Sequence, residues 1–238
     1  MQVGLTCYAN AVAAAIHLAT RMVSQGEGGY PHFDDILKKI VTEFGENGAD
    51  TDKVLQKYAP EYRLRYRNLA DEEQARLAVS QGRPVIARFW LYKEEEGRPE
   101  GQWGDFEKFF KDNPIGVLTK KDLRVQNTGR LGRHVVLLVD YEPNALVFMN
   151  SWGIDFADGG YFRVENADVL GLEFYDVFFH KSDLSKEEIQ AYGNQGSDPS
   201  TTGSLESLST VSLSGLAADL PLDGEQWSTP TVHAATVA

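Results

Sequence analysis

The sequence predicts an α+β protein, with a helical N-terminal half, an antiparallel β half after it, and a cleft where the two meet. Three observations carry this. Apolar residues recur at helical spacing over the first eighty or so positions. From Arg83 onward they come in short runs of alternating or continuous strand character instead. The chain, 238 residues with 42% hydrophobic and 11% aromatic content, has enough apolar material for one sizeable core or two small ones.

In chain order, residues 5–23 form an Ala-rich helix closed by the glycines from Gly26 to Gly29. The segment is apolar enough to suggest a signal peptide. No basic residue precedes it, however, and Cys7, Asn10 and His17 interrupt it, so it reads as a buried helix, too short and polar to span a membrane. Residues 32–44 form a second helix, with Phe33, Ile36, Leu37, Ile40, Val41 and Phe44 on one face, stopped by Gly45-Glu46-Asn47-Gly48-Ala49. A third helix over 51–58 is capped by Asp50 or Thr51, an edge strand follows over 62–66, and 71–81 is helical up to Gly82.

Pro84 opens a strand over 84–91, a position where its missing N–H is tolerated. Residues 93–104 read as a charged, Gly-rich loop and 105–111 as one or two helical turns. Strands are expected over 115–118, 134–141, 145–150, 161–164 and 175–179. Composition then shifts. No Lys or Arg follows Lys186, Ser and Thr dominate, and the apolar residues between Leu205 and Leu222 are widely spaced. The expected organisation is a folded domain over 1–184 and a disordered acidic tail over 185–238.

A net charge of −12 with no basic stripe argues against nucleic acid as a partner, and nothing calls for a membrane. A single cysteine forms no internal disulfide and no Asn-x-Ser/Thr acceptor occurs, so a reducing compartment such as the cytoplasm is the simpler expectation. Neither a zinc-type ligand pattern, a calcium loop nor a phosphate-binding glycine motif is present, and no cofactor is expected.

The chemistry-bearing residues are few. Cys7 follows a Gly-containing turn and opens the first helix, where unpaired N–H groups and the helix dipole favour a thiolate. Far downstream come Gly132-Arg133-His134-Val135 and then Asn150-Ser151-Trp152-Gly153. Each alone has a plain structural reading: a small buried hydrophobe, a core histidine, a turn. Together, a cysteine, a histidine and an asparagine in that order are the parts of an acyl-transfer site. Cys7 attacks a carbonyl carbon as thiolate, His134 forms the ion pair that keeps it ionised and later donates a proton to the leaving amine, and Asn150 holds the imidazole, with Trp152 covering their hydrogen bond. Gln2 supplies an amide that, with the Cys7 N–H, binds an oxyanion.

The series Gln2, Cys7, His134, Asn150-Ser151-Trp152-Gly153 and Gly159-Gly160-Tyr161-Phe162-Arg163-Val164 resembles the papain-like cysteine peptidases over about residues 2–180. The step from His134 to Asn150 is the family's own. Gly45-Glu46-Asn47-Gly48-Ala49 resembles its Gly-Cys-Asn-Gly-Gly, and Gly82-Arg83-Pro84-Val85 resembles the Gln-Pro-Val that opens its β domain. The resemblance implies a two-domain fold, hydrolysis of peptide or protein substrates through a thioester, and substrate contacts at Gly48, Ala49, Arg133 and Trp152. It also implies chain upstream of Met1. This sequence departs from the pattern in a Gln-to-Cys interval one residue shorter, Tyr8 for a tryptophan, Glu46 for a disulfide cysteine and Ala49 for a glycine. Two alternatives stand beside it. One is a papain-fold module that binds peptides without cutting them. The other is a ubiquitin-specific protease, because Gly4-Leu5-Thr6-Cys7-Tyr8-Ala9-Asn10 resembles that family's cysteine box, although Gly132-Arg133-His134-Val135 lacks the tyrosine of its histidine box.

Overall fold

The computed structural model describes residues 2, 4–24, 29–93 and 100–194. Its fold is α+β, with a helical N-terminal part and a C-terminal sheet. The first helix, α1 (Cys7–Met22), begins at the cysteine itself. Most side chains on it are buried, six of them alanines, and a helix apolar all round is a core helix. Among the described residues no helix is long and apolar enough to cross a membrane.

Two helices lean on α1. The helix α2 (Phe33–Phe44) buries Ile36 and Ile40, one turn apart, and ends at Gly45, whose φ of 80° lies in the left-handed region that favours glycine. The helix α3 (Thr51–Glu61) is capped by Asp50, whose carboxylate accepts from the Asp52 N–H at 2.9 Å. It runs one turn past its expected end and takes Pro60 into that turn. Then β1 (Leu64–Leu69) enters the sheet, and α4 (Glu72–Ser80) follows, with Asp71 capping the Gln74 N–H at 2.9 Å.

The remaining strands are β2 (Val85–Tyr92), β3 (Val117–Leu118), β4 (Leu131–Glu142), β5 (Ala145–Met149), β6 (Tyr161–Val164) and β7 (Glu173–Phe179). Among the described residues they form one seven-stranded sheet in the order β1-β7-β2-β4-β5-β6-β3. The β1 strand is an edge, as its alternation suggests. One pairing departs from the antiparallel expectation: β3 runs parallel to β6.

Side-chain alternation divides the sheet into two cores. Ile86 of β2, Val135 and Leu137 of β4, and Tyr175, Val177 and Phe179 of β7 pack with α1, α2 and α3. Phe89, Val136, Leu138, Phe148 and Phe162 turn the other way. They meet α4, α5 (Gly101–Asp112) and the short α6 (Ala167–Leu170). Helices thus cover both faces of the sheet.

Other boundaries shift as well, β1 from 62–66 to Leu64–Leu69 among them. Residues 101–104, expected in a loop, form the first turn of α5, because Trp103, Phe106 and Phe110 sit at helical spacing and bury together. Lys186–Asn194, expected within the tail, form α7, where Ala191 is buried and Glu188 pairs with Arg63. Expected tail positions from 195 on, and the glycines Gly26 and Gly28, lie outside the described residues.

Candidate active site

Cys7 and the His134–Asn150 pair arrive from the two cores. As the first residue of α1, Cys7 packs against β4. His134 lies on the opposite parity of β4, in register with Phe89 of β2, and Asn150 directly follows β5, the next strand.

The pair expected between His134 and Asn150 is formed. His134 Nε2 and Asn150 Oδ1 are 2.8 Å apart and both side chains are buried. Trp152 lies over the imidazole at a centroid distance of 4.8 Å, tilted by 33°, in the covering position expected of it. The edges of two further rings close the box: Phe89 at 5.6 Å and Trp103 at 5.8 Å. Trp103 is the member that the sequence reading did not single out, although its spacing to Phe106 and Phe110 carried the signal.

Cys7 and His134 make no hydrogen bond to each other. Both are nearly closed to solvent, with 8% and 3% of their surface exposed. The electrostatics follow from that closure. Burial pushes the Cys7 thiol up, against the opposing effects of the Val135 and Tyr8 backbone amides, the Arg133 charge and its own amide. Burial lowers the His134 imidazole to about 4, and the Asn150 hydrogen bond only partly opposes it. A helix N-terminus by itself favours a thiolate, but here desolvation is the larger effect. Burial thus favours the uncharged form of each group.

The 45–49 loop is stitched across the front of α1. Glu46 O accepts from Leu5 N at 2.8 Å, and Gly45 O accepts from Tyr8 Oη at 2.5 Å. Gly48 is exposed, with φ of 87°, and a Cβ there would stand in ordinary contact with Leu5, 3.9 Å from its carbonyl oxygen. Ala49 is half-buried, and its carbonyl accepts from the Arg133 guanidinium. Arg133 therefore joins the loop to β4 at the expected substrate-binding positions. A small cavity of about 90 Å³ lies at the far end of α1, lined by Leu18, Met22, Arg83 and Pro84 among others, away from Cys7.

Gln2 faces the asparagine turn. Its backbone N–H donates to Ser151 O at 2.7 Å, its Oε1 accepts from Ser151 Oγ at 2.6 Å, and its Nε2 donates to Gly4 O at 2.9 Å.

No family model matches the chain, and no curated protein matches it. Solved structures similar to it include three cysteine proteases. One is the bromelain protease from Ananas comosus in complex with the E64 inhibitor, with TM-score 0.41, 14% identity, and coverage of 74% of this chain and 90% of that one. Another is xylellain, a cysteine protease from Xylella fastidiosa, with TM-score 0.43, 20% identity, and coverage of 76% and 84%. The third is the Carica candamarcensis cysteine protease CMS1MS2 in complex with E-64, with TM-score 0.38, 15% identity, and coverage of 74% and 90%. At these scores the likeness carries no argument about chemistry, which rests on the side chains described above. The similar structures are papain-like cysteine proteases, the kind of protein that the sequence motifs resemble.

Proposed function

We propose that the chain is a cysteine-type peptidase that hydrolyses peptide bonds through Cys7, His134 and Asn150, without metal or cofactor. The observation that carries this reading is the buried His134 Nε2···Asn150 Oδ1 contact at 2.8 Å under the Trp152 ring. It commits one imidazole nitrogen and leaves Nδ1 for a thiol proton. A core histidine needs only some partner. This one has an asparagine, an aromatic cover, and a helix-opening cysteine against the next residue of its own strand.

With burial favouring the uncharged thiol and imidazole, His134 acts as a general base in this reading. As the Cys7 sulfur bonds to the substrate carbonyl carbon, the thiol proton passes to Nδ1. The proton then moves to the leaving amine, the C–N bond breaks and a thioester remains. Water, losing its proton to the same nitrogen, hydrolyses the thioester and returns the thiol. The Cys7–His134 contact required tightens when substrate is bound, as is common for catalytic hydrogen bonds that are long in the free protein.

A second reading, a peptide-binding module without turnover, is favoured by the closure of both side chains and the lack of a bond between them. Turnover of a fluorogenic peptide library, beside a ubiquitin conjugate, separates the readings. Peptides should be cut by the wild type and not by Cys7→Ala, and Asn150→Ala should lower kcat by roughly one to three orders of magnitude with KM nearly unchanged. Peptide binding without cleavage supports the module, and activity on the conjugate alone supports a deubiquitinase.

A further inference from the structure

Two arginines share one face of the sheet beside the site, and only one of them is neutralised. We propose that the other, Arg133, is a specificity-determining residue that selects peptides carrying an aspartate or glutamate side chain next to the scissile bond; this rests on the peptidase reading above.

Trp90 pairs with Arg133 and Arg88 with Val135, so these four residues of β2 and β4 lie on the same face. Arg88 is bound by two carboxylates, Glu173 and Asp52, and its guanidinium lies over the Trp90 ring at 4.9 Å. Elsewhere Arg67 and Arg83 share Asp176, and Arg163 holds Asp158 and Glu142. Arg133 is half-buried yet makes no ion pair among the described residues. One Nη–H donates to the Ala49 carbonyl, a neutral acceptor, and its other N–H groups have no partner among those residues.

The carboxylates that follow Ala49 in sequence are engaged elsewhere. Asp50 caps α3 through the Asp52 N–H, and Asp52 accepts from the Tyr175 hydroxyl at 2.8 Å besides facing Arg88. The positive charge of Arg133 acts on the Cys7 thiol, which puts the guanidinium within electrostatic reach of the nucleophile. A half-buried guanidinium has lost part of its hydration, and a carboxylate returns charge-assisted bonds in fork geometry where a carbonyl returns a neutral one. Because a single N–H serves Ala49, a carboxylate can be taken without releasing the loop. Gly48 beside it is exposed, so an extended peptide laid along the loop brings a side chain to this charge. The chain as a whole carries −12 and repels acidic residues elsewhere along a peptide. A gain from an acid at one position is therefore a local signal.

The test is cleavage of internally quenched peptides, neutral elsewhere, compared in pairs that differ only by Glu against Gln at one position, with that position walked across the scissile bond. At one position Glu should raise kcat/KM by roughly 10- to 100-fold. Arg133→Gln should bring that ratio close to one, and Arg133→Glu should reverse it. The ratio is internal to each variant. A purely structural role for Arg133 slows both peptides alike and leaves the ratio unmoved, which overturns the proposal, as does a ratio near one at every position in the wild type. A second readout does not depend on turnover. By calorimetry the Cys7→Ala protein should bind the Glu peptide about 10-fold or more tighter than the Gln peptide, and adding Arg133→Gln should erase the difference. Equal binding, or binding of neither peptide, overturns the proposal. A wild type that cuts neither peptide while the Cys7→Ala protein keeps the Glu preference defeats the peptidase reading instead, and Arg133 then sets the selectivity of a binding module.

Discussion

The two faces of the sheet solve the same packing problem with opposite materials. Against the face carrying Val135 and Leu137, α1 brings alanines, including Ala9, Ala13 and Ala15, all fully buried. Their small side chains let the helix axis come close, so that its first residue, Cys7, reaches the β4 backbone. Against the other face, α5 brings Trp103, Phe106 and Phe110, which pack on one another, and the Trp103 ring encloses His134 with Phe89 and Trp152. One face sets position by closeness, the other by bulk. The nucleophile belongs to the first and the base to the second.

The contrast predicts which substitutions each face tolerates. Phe106→Ala on the aromatic face should lower stability by about 3–5 kcal/mol, since Phe106 is fully buried and its removal leaves a cavity among six rings' worth of contacts. Equilibrium denaturation measures it, and a loss below about 1 kcal/mol would show that the aromatic face collapses freely.

The same burial acts with opposite sign of charge on the two reactive groups. His134 titrates near 4 in the folded protein, below its ordinary 6.5, so between these values the unfolded chain binds a proton that the folded one refuses. Stability should therefore fall as pH drops from 6.5 to 4, by about 3 kcal/mol from this group, and His134→Gln should flatten the slope in that window. The Cys7 thiol is raised, so its contribution is present below the ordinary thiol value and is lost as pH rises above it. Haloacetamide labelling of the free protein should accordingly begin at higher pH than for an exposed cysteine near 8.5. Labelling at mildly acidic pH would reverse this electrostatic picture of the closed site.

On the alanine face, enlargement is the damaging change. Ala13→Leu should lower stability by about 1–3 kcal/mol by forcing α1 off the sheet. It should also reduce turnover more than stability alone explains, because Cys7 moves with the helix. A variant with unchanged activity would separate the helix position from the thiol. The smallest effects are those that ignore the contrast. Asp50→Ala and Asp71→Ala each remove one cap bond, on helices over opposite faces, and each should cost about 1 kcal/mol in thermal or denaturant unfolding. Unequal losses would show that one of these helices is held mainly by packing.

What the sequence made legible was chemistry tied to local pattern. Cys7 at a helix start, His134 entering a strand and Asn150 before a Trp-Gly turn are each marked by their neighbours, and the His134–Asn150 contact is where those marks led. Facts that depend on which face a residue takes were not legible. Alternation shows that His134 and Val135 point apart, but not which one meets α1. The sign of the electrostatics was missed for the same reason, because a helix N-terminus is visible in sequence and the depth of burial around it is not. The start of α5 was read as loop because Gly101 and Gly104 outweighed Trp103, whose place in the core comes from tertiary packing. The parallel β3–β6 pair has no local signature, being two residues long and distant in sequence from its partner.

The pairing of Phe89 with His134, and of Arg88 with Val135, has a consequence for folding. Strand side chains alternate with a period of two, so a slip of β4 by one residue against its neighbours exchanges its faces. His134 would then lie against the alanine helix, where no ring covers it, and Val135 would occupy the aromatic box. The correct register is thus enforced twice, by hydrophobic burial along the whole strand and by the polar demand of one imidazole for one carbonyl. A chain trapped in the slipped pairing is inactive and exposes aromatic surface at once, so errors in this step of folding are also the errors most visible to quality control.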